Sequence, residues 1–215
     1  MKRCASVLTA TMILLGTASC GSSGTDDPQP TASTSTSASS DGQTSADASQ
    51  DELTSKIATD APPEDVVWLR PDAPADWKTL EAEVGTQQWQ VGDRCVVTTS
   101  QPQGVGSEQS PTTDEVADEQ VRRMASSAKL EDVPAADKST VMVPAQVKGL
   151  DGRVEQEFAT RQFTTDQNAT YLIWARRYGD FAMLASAACG GGDFDTTYDQ
   201  EIKPFMESLA VSVTY

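Results

Sequence analysis

Several groups of residues in this 215-residue chain have types and spacings that could do chemistry. Ser126-Ser127-Ala128-Lys129 has the Ser-x-x-Lys spacing that places a serine nucleophile one helical turn from a lysine base, as in penicillin-recognising enzymes. Those enzymes also need Ser-Asp-Asn and Lys-Thr-Gly elements, and the chain has neither. Ser126 and Lys129 are expected instead at the end of an amphipathic helix, where a cation complements the helix dipole. Asp193, Asp195, Asp199 and Glu201 follow three glycines and could offer carboxylate oxygens to calcium. Thr197 and Tyr198 fall where an EF-hand loop needs an oxygen ligand and a glycine, so helix capping and solvation explain the run more simply. Glu155 and Glu157 alternate with Val154, Gln156 and Phe158, the pattern of a wet sheet face rather than of a carboxylate pair. Gly104-Val105-Gly106-Ser107 lacks the third glycine and the following helix of a phosphate loop. With no histidine in the chain, Ser-His-Asp and Cys-His units and His-ligated zinc are excluded. We expect no enzyme activity, catalytic residue, metal or cofactor.

The cysteines are more informative. Cys20 ends the run Leu15-Gly16-Thr17-Ala18-Ser19-Cys20, behind the basic residues Lys2 and Arg3 and the apolar stretch Ala5 to Leu15. A basic start, a short apolar core and small residues before a cut make a signal peptide, here residues 1–19. The stretch is shorter than the roughly 20 apolar residues a bilayer requires. The site resembles the cleavage-and-lipidation site of a bacterial lipoprotein, although Thr17 stands where that pattern prefers leucine. An ordinary secretory signal with an incidental cysteine is the alternative. If Cys20 becomes the mature N-terminus, two acyl chains, commonly palmitate, anchor the protein to the outer face of the cell membrane, where one chain would be marginal. Cys4 is discarded with the signal. Cys95 and Cys189 then remain, and two cysteines outside the cytoplasm are expected to pair as a disulfide.

Residues 20–60 have no aromatic residue and are rich in Ser, Thr, Ala, Asp and Gln. Such a segment buries too little apolar surface to offset chain entropy, so a disordered linker is expected. Seven acidic residues against Lys56 should extend it. All four tryptophans lie in residues 61–215, which are expected to form one domain. The chain carries 32 acidic and 16 basic residues. That balance argues against nucleic acid as a partner and against direct docking on anionic membrane.

The elements within 61–215 follow from periodicity and turn signals. Val66 to Leu69 reads as a strand, and Gln87 to Thr99 as two strand pieces or a hairpin around Gly92-Asp93. Thr112 with Glu115 has the form of a capping box. Val116, Gln120, Val121, Met124, Ala125 and Ala128 then predict a helix from about Thr113 to Ala128. Thr140–Val147, Arg153–Thr164, Thr170–Tyr178 and Phe181–Cys189 predict a four-strand antiparallel meander with one buried side. Ile202, Phe205, Met206 and Leu209 predict a helix over Thr196–Leu209 that Pro204 kinks and Asp195 caps, before a last strand at Val211 and Val213. The fold class is therefore α+β, an antiparallel sheet packed against one mid-chain helix and one C-terminal helix.

That layout resembles the PsbP-like (LpqN-type) domain of actinobacterial cell-envelope lipoproteins. The matching features are Pro74-Ala75-Asp76-Trp77, Gly149-Leu150-Asp151-Gly152, Arg177-Tyr178-Gly179-Asp180-Phe181 and Phe205-Met206-Glu207-Ser208-Leu209. The resemblance spans most of Val66 to Val213. It implies a binding or assembly factor in the cell envelope and supplies no ligand-binding residue. Two expectations follow. A module that binds an envelope protein partner should expose an aromatic patch around Trp174, Arg176 and Arg177. A carrier or sensor of a small apolar ligand such as an envelope lipid should hold a pocket between sheet and helices, with room left by Ala182, Ala185, Ala187 and Ala188.

Overall fold

The computed structural model describes residues 44–58, 61–104, 112–192 and 194–215, all within one compact unit, Gln43–Tyr215. Cys20, Asp193 and the greater part of the Gly104–Ser107 loop lie outside the described residues. The chain runs α1 (Thr44–Ala58), β1 (Asp65–Leu69), β2 (Lys78–Leu80), β3 (Thr86–Val91), β4 (Cys95–Ser100), α2 (Thr113–Ser127), β5 (Asp137–Val147), β6 (Val154–Thr164), β7 (Thr170–Tyr178) and β8 (Phe181–Cys189). It closes with α3 (Phe194–Thr197), a π-helical turn (Tyr198–Ile202), α4 (Lys203–Glu207) and β9 (Ala210–Thr214). The architecture is α+β, as expected.

The nine strands form one sheet in the order β1-β9-β5-β6-β7-β8-β4-β3-β2. Every pairing is antiparallel except β5 with β9. The sheet curls. From β1, Trp68 Nε1 donates to the Ser100 carbonyl at 3.1 Å, and Arg70 Nη1 donates to Thr99 Oγ1 at 3.1 Å, reaching β4 on the other half of the strand order. Inside the curl lie the C-terminal helical turns. Phe205 packs against Trp77 and Trp89 with ring centroids 4.9 and 5.2 Å apart, and Trp68 against Phe158 at 5.7 Å.

Where α2 covers it, the meander is buried on both sides, while β5 keeps the one buried side expected, with Thr140, Met142 and Gln146 exposed. Leu172, Trp174, Met183, Ala185 and Ala187 face the inner core, while Ile173, Ala175, Ala182 and Leu184 face α2. Helix α2 lays Val116, Ala117, Val121 and Ala125 over β6 to β8, so their outward residues are apolar too. Beyond the reach of α2 the outer face is wet, at Glu155 and Glu157 of β6 and at Thr140 and Met142 beside them on β5.

Two helices differ from expectation. The helix expected over Thr196–Leu209 is divided. Pro204 has no N–H and its ring crowds the carbonyl four residues back, so the preceding turn widens and the Lys203 N–H bonds the Tyr198 carbonyl. Asp195 sits in the first turn of α3, without the capping role expected of it. Secondly, α1 occupies Thr44–Ala58, inside the segment expected to be a disordered linker. Three alanines and no glycine or proline favour a helix there, and Leu53, 9% exposed, gives it one anchor on the core. Burial of one leucine contributes about 1.5–3 kcal/mol.

Candidate binding cleft

Cys95 and Cys189 face each other in register on β4 and β8, with Cα atoms 4.1 Å apart, and form the disulfide. Both are 2% exposed, so the bridge is a staple inside the core. Non-hydrogen-bonded antiparallel pairs bring Cα atoms to roughly this separation, which is why two strands placed side by side can be bridged without bending either.

The cleft of note lies at one end of the sheet and has a volume of about 1040 Å³. Its walls come from four parts of the chain: Pro62-Pro63 ahead of β1, Gln103-Gly104 after β4, Thr112-Thr113-Asp114 at the start of α2, and the β7–β8 hairpin from Arg176 to Phe181. Glu157 of β6 completes it. Each wall is held locally. Gly179-Asp180 makes the tight hairpin turn, with Gly179 at φ +56°. A Cβ on Gly179 would fall 2.6 Å from Pro62 Cβ, so glycine is needed for both the turn and the close approach. The Ala182 N–H bonds the Pro102 carbonyl at 3.0 Å, which ties the chain after β4 to the hairpin. The expected capping box is formed. Thr112 Oγ1 accepts from the Glu115 N–H at 3.2 Å, and Glu115 Oε2 accepts from the Thr112 N–H at 3.1 Å.

The two arginines are fixed by the backbone around them. Arg176 Nη1 donates to the Glu157 carbonyl at 2.7 Å, and its guanidinium carbon lies 5.0 Å from the centre of the Tyr178 ring. Arg177 Nε donates to the Gly179 carbonyl at 2.8 Å, and its N–H to Thr113 Oγ1 at 3.2 Å. Being adjacent on a strand, they leave it on opposite faces, and the cleft receives both because it wraps the end of the sheet. With Asp114, Glu157 and Asp180 on the same walls, the cleft presents alternating charge.

Beneath it sits an ion network that the sequence did not reveal. Arg161, 1% exposed, donates Nε to Asp118 Oδ1 at 2.6 Å, Nη2 to Asp114 Oδ1 at 2.5 Å and Nη1 to the Thr160 carbonyl at 2.9 Å. Lys138 Nζ reaches Asp118 Oδ2 at 2.9 Å. Burial opposes ionisation of Asp118, but hydrogen bonds from Arg161 and Lys138 outweigh it and hold the carboxyl below its ordinary range. Burial likewise disfavours the Arg161 cation, and the two aspartates reverse that and raise its pKa. The network rivets the first two turns of α2 to β6.

The other residues singled out by the sequence are dispersed. Trp174 is 5% exposed and belongs to the inner core, so the aromatic patch expected around it does not form. Its neighbours Arg176 and Arg177 do reach the cleft. Ala185 and Ala187 lie in the inner core beneath the aromatic cluster, Ala182 lies under α2, and Ala188 is half-buried; the cleft touches none of them. Ser126 and Lys129 are both exposed at the end of α2. Asp195, Asp199 and Glu201 are exposed along α3 and the π turn, and no metal-ligating cluster occurs among the described residues. Among the described residues no helix is long and apolar enough to cross a membrane.

No protein-family profile matches the chain. No curated protein matches it either. A crystal structure from Bacteroides thetaiotaomicron VPI-5482 is similar over 64% of this chain and 42% of that one, at 18% identity and a TM-score of 0.34. The chain thus matches less than half of that protein's length.

Proposed function

We propose that the protein is a lipid-anchored, extracytoplasmic lipoprotein with a PsbP-like domain that acts as a non-catalytic binding or assembly module in the cell envelope. In this reading Cys20 carries the acyl anchor, residues 20–43 form the tether, and the cleft receives a segment of an envelope protein. The observation that carries it is the cleft itself. It is open to solvent and lined by Arg176, Arg177, Glu157 and Asp180, with Pro62, Pro63 and Phe181 beside the charges. Alternating charge beside apolar surface suits a polypeptide more than a lipid tail. The buried Cys95–Cys189 disulfide fits an oxidising compartment.

The test has two parts. A photo-crosslinking residue in place of Asp180, in the native host, should trap a discrete protein adduct. The same residue in place of Asp166, on the β6–β7 turn, should not. Native mass spectrometry of a gently purified Cys20→Ala form, which cannot carry the anchor, should show no lipid-sized mass on the folded domain. A stoichiometric lipid there would replace this reading with that of a carrier.

A further inference from the structure

Helix α1 is the first element of the compact unit, and among its described side chains it has one buried anchor. Of its described side chains only Leu53 is buried, Ile57 packs partly against the core, and Asp51, Glu52, Thr54 and Ser55 are exposed. Leu53 rests on the β5–β6 turn, where a Cβ added to Gly149 would lie 3.2 Å from Leu53 Cδ1. One exposed hydrogen bond, Gln50 Nε2 to Asp151 Oδ2 at 3.2 Å, adds to the contact. Much of the helix's remaining support is internal. Lys56 pairs with Glu52 at 3.0 Å, and Thr54 Oγ1 donates to the Gln50 carbonyl at 2.9 Å. A free helix of this length is marginal in water, so its folded state depends on its contacts with the domain. The sheet below is stapled by a disulfide, and its central strands β7 and β8 are buried on both faces.

We propose that α1 is a detachable strap, docking and releasing as a unit while the sheet stays folded. Docked, its fifteen residues span about 22 Å as helix; released and extended they span roughly 50 Å. Release also bares the half-buried Leu150 on the turn that Leu53 covers. The strap sets how far the domain stands from its attachment, a consequence that rests on the anchor reading at Cys20.

Hydrogen exchange on the full chain tests the release directly and does not depend on acylation. Amides of α1 should be protected but exchange at least about 100-fold faster than those of β7. Leu53→Ser should erase that protection and leave β7 unchanged. Trypsin gives a second readout, because the chain has no lysine or arginine between Arg3 and Lys56. Cleavage after Lys56 should precede loss of the domain, and Leu53→Ser should speed it about tenfold. Asp151→Ala, which leaves the core untouched, should move both readouts in the same direction. Exchange of α1 and β7 at one rate, an α1 with no protection at all, or a Leu53→Ser variant that loosens β7 as much as α1 would each overturn the proposal. Failure of the anchor would register separately, as an unmodified Cys20 by mass.

Discussion

Lys129 shows how much one side chain can be asked to tolerate. It follows α2 at φ +56°, and the Leu130 and Lys129 N–H groups bond the Ala125 and Ser126 carbonyls, the double closure that usually employs glycine. The Ser-x-x-Lys match thus ends in a helix stop, where a side chain in left-handed backbone costs about 1 kcal/mol. Lys129→Gly should raise stability by about 1 kcal/mol in urea unfolding, with the cleft unaffected. Asp118 works in the opposite sense. Its pKa is lowered in the folded state, so its contribution is present above the ordinary carboxylate range and is lost as pH falls below about 4. Asp118→Asn should cost about 1 kcal/mol at pH 7, discounted because the carboxylate is about one-third exposed. It should also flatten the fall in stability between about pH 5 and 3, which denaturation at a series of pH values would show. Nothing in the local sequence announces Arg161, since a lone arginine in a strand pattern gives no sign that two aspartates lie 47 and 43 residues earlier in chain.

At the scale of elements, what could be read was what short-range chemistry decides. The capping box placed the start of α2, and Gly179-Asp180 with alternating residues on both sides placed β7 and β8 to the residue. The three-residue edge strand β2 carries too little pattern to be seen. The second buried face escaped because its cover, α2, is distant in sequence, and Ile173, Ala175, Ala182 and Leu184 alternate with equally apolar inward residues, a pattern that does not say which element packs there. The split of the C-terminal helix followed from Pro204, but the π turn that absorbs it depends on how Ile202 and Phe205 must both enter the core. The disulfide belongs to this scale as well. It links strands 94 residues apart in sequence, and the chain-entropy account gives about 4–5 kcal/mol for such a loop. The double replacement Cys95→Ala and Cys189→Ala should lower the unfolding free energy extrapolated from urea denaturation by an amount near that figure. Unfolding that begins at β2 and β3, outside the bridged pair, should change least.

For the whole molecule, the cleft could not be read from sequence, because its walls come from residues 62 to 181 and meet only when the sheet curls. Gly179→Ala tests whether its shape matters. The substitution meets Pro62 at 2.6 Å and strains a positive φ, so it should push Pro62-Pro63 off the hairpin and weaken any crosslink at Asp180 while the disulfide-stapled sheet remains folded. Lipid attachment is a separate matter. Cys20→Ala should shift the protein from the membrane fraction to the medium, and retention would end the anchor proposal.

Pro62 and Pro63 are at once a wall of the cleft and the first stretch of chain after α1. Any tension along the N-terminal chain is therefore delivered to that wall before it reaches β1, which could then be unzipped from β9 pair by pair. Load and occupancy are coupled mechanically. A bound segment wedged against Pro62-Pro63 should make the domain harder to pull open from its N-terminal side, and a taut chain should loosen the grip on that segment. Single-molecule pulling from residue 44, compared with and without the trapped partner, would show the coupling as a change in the force of the first rupture.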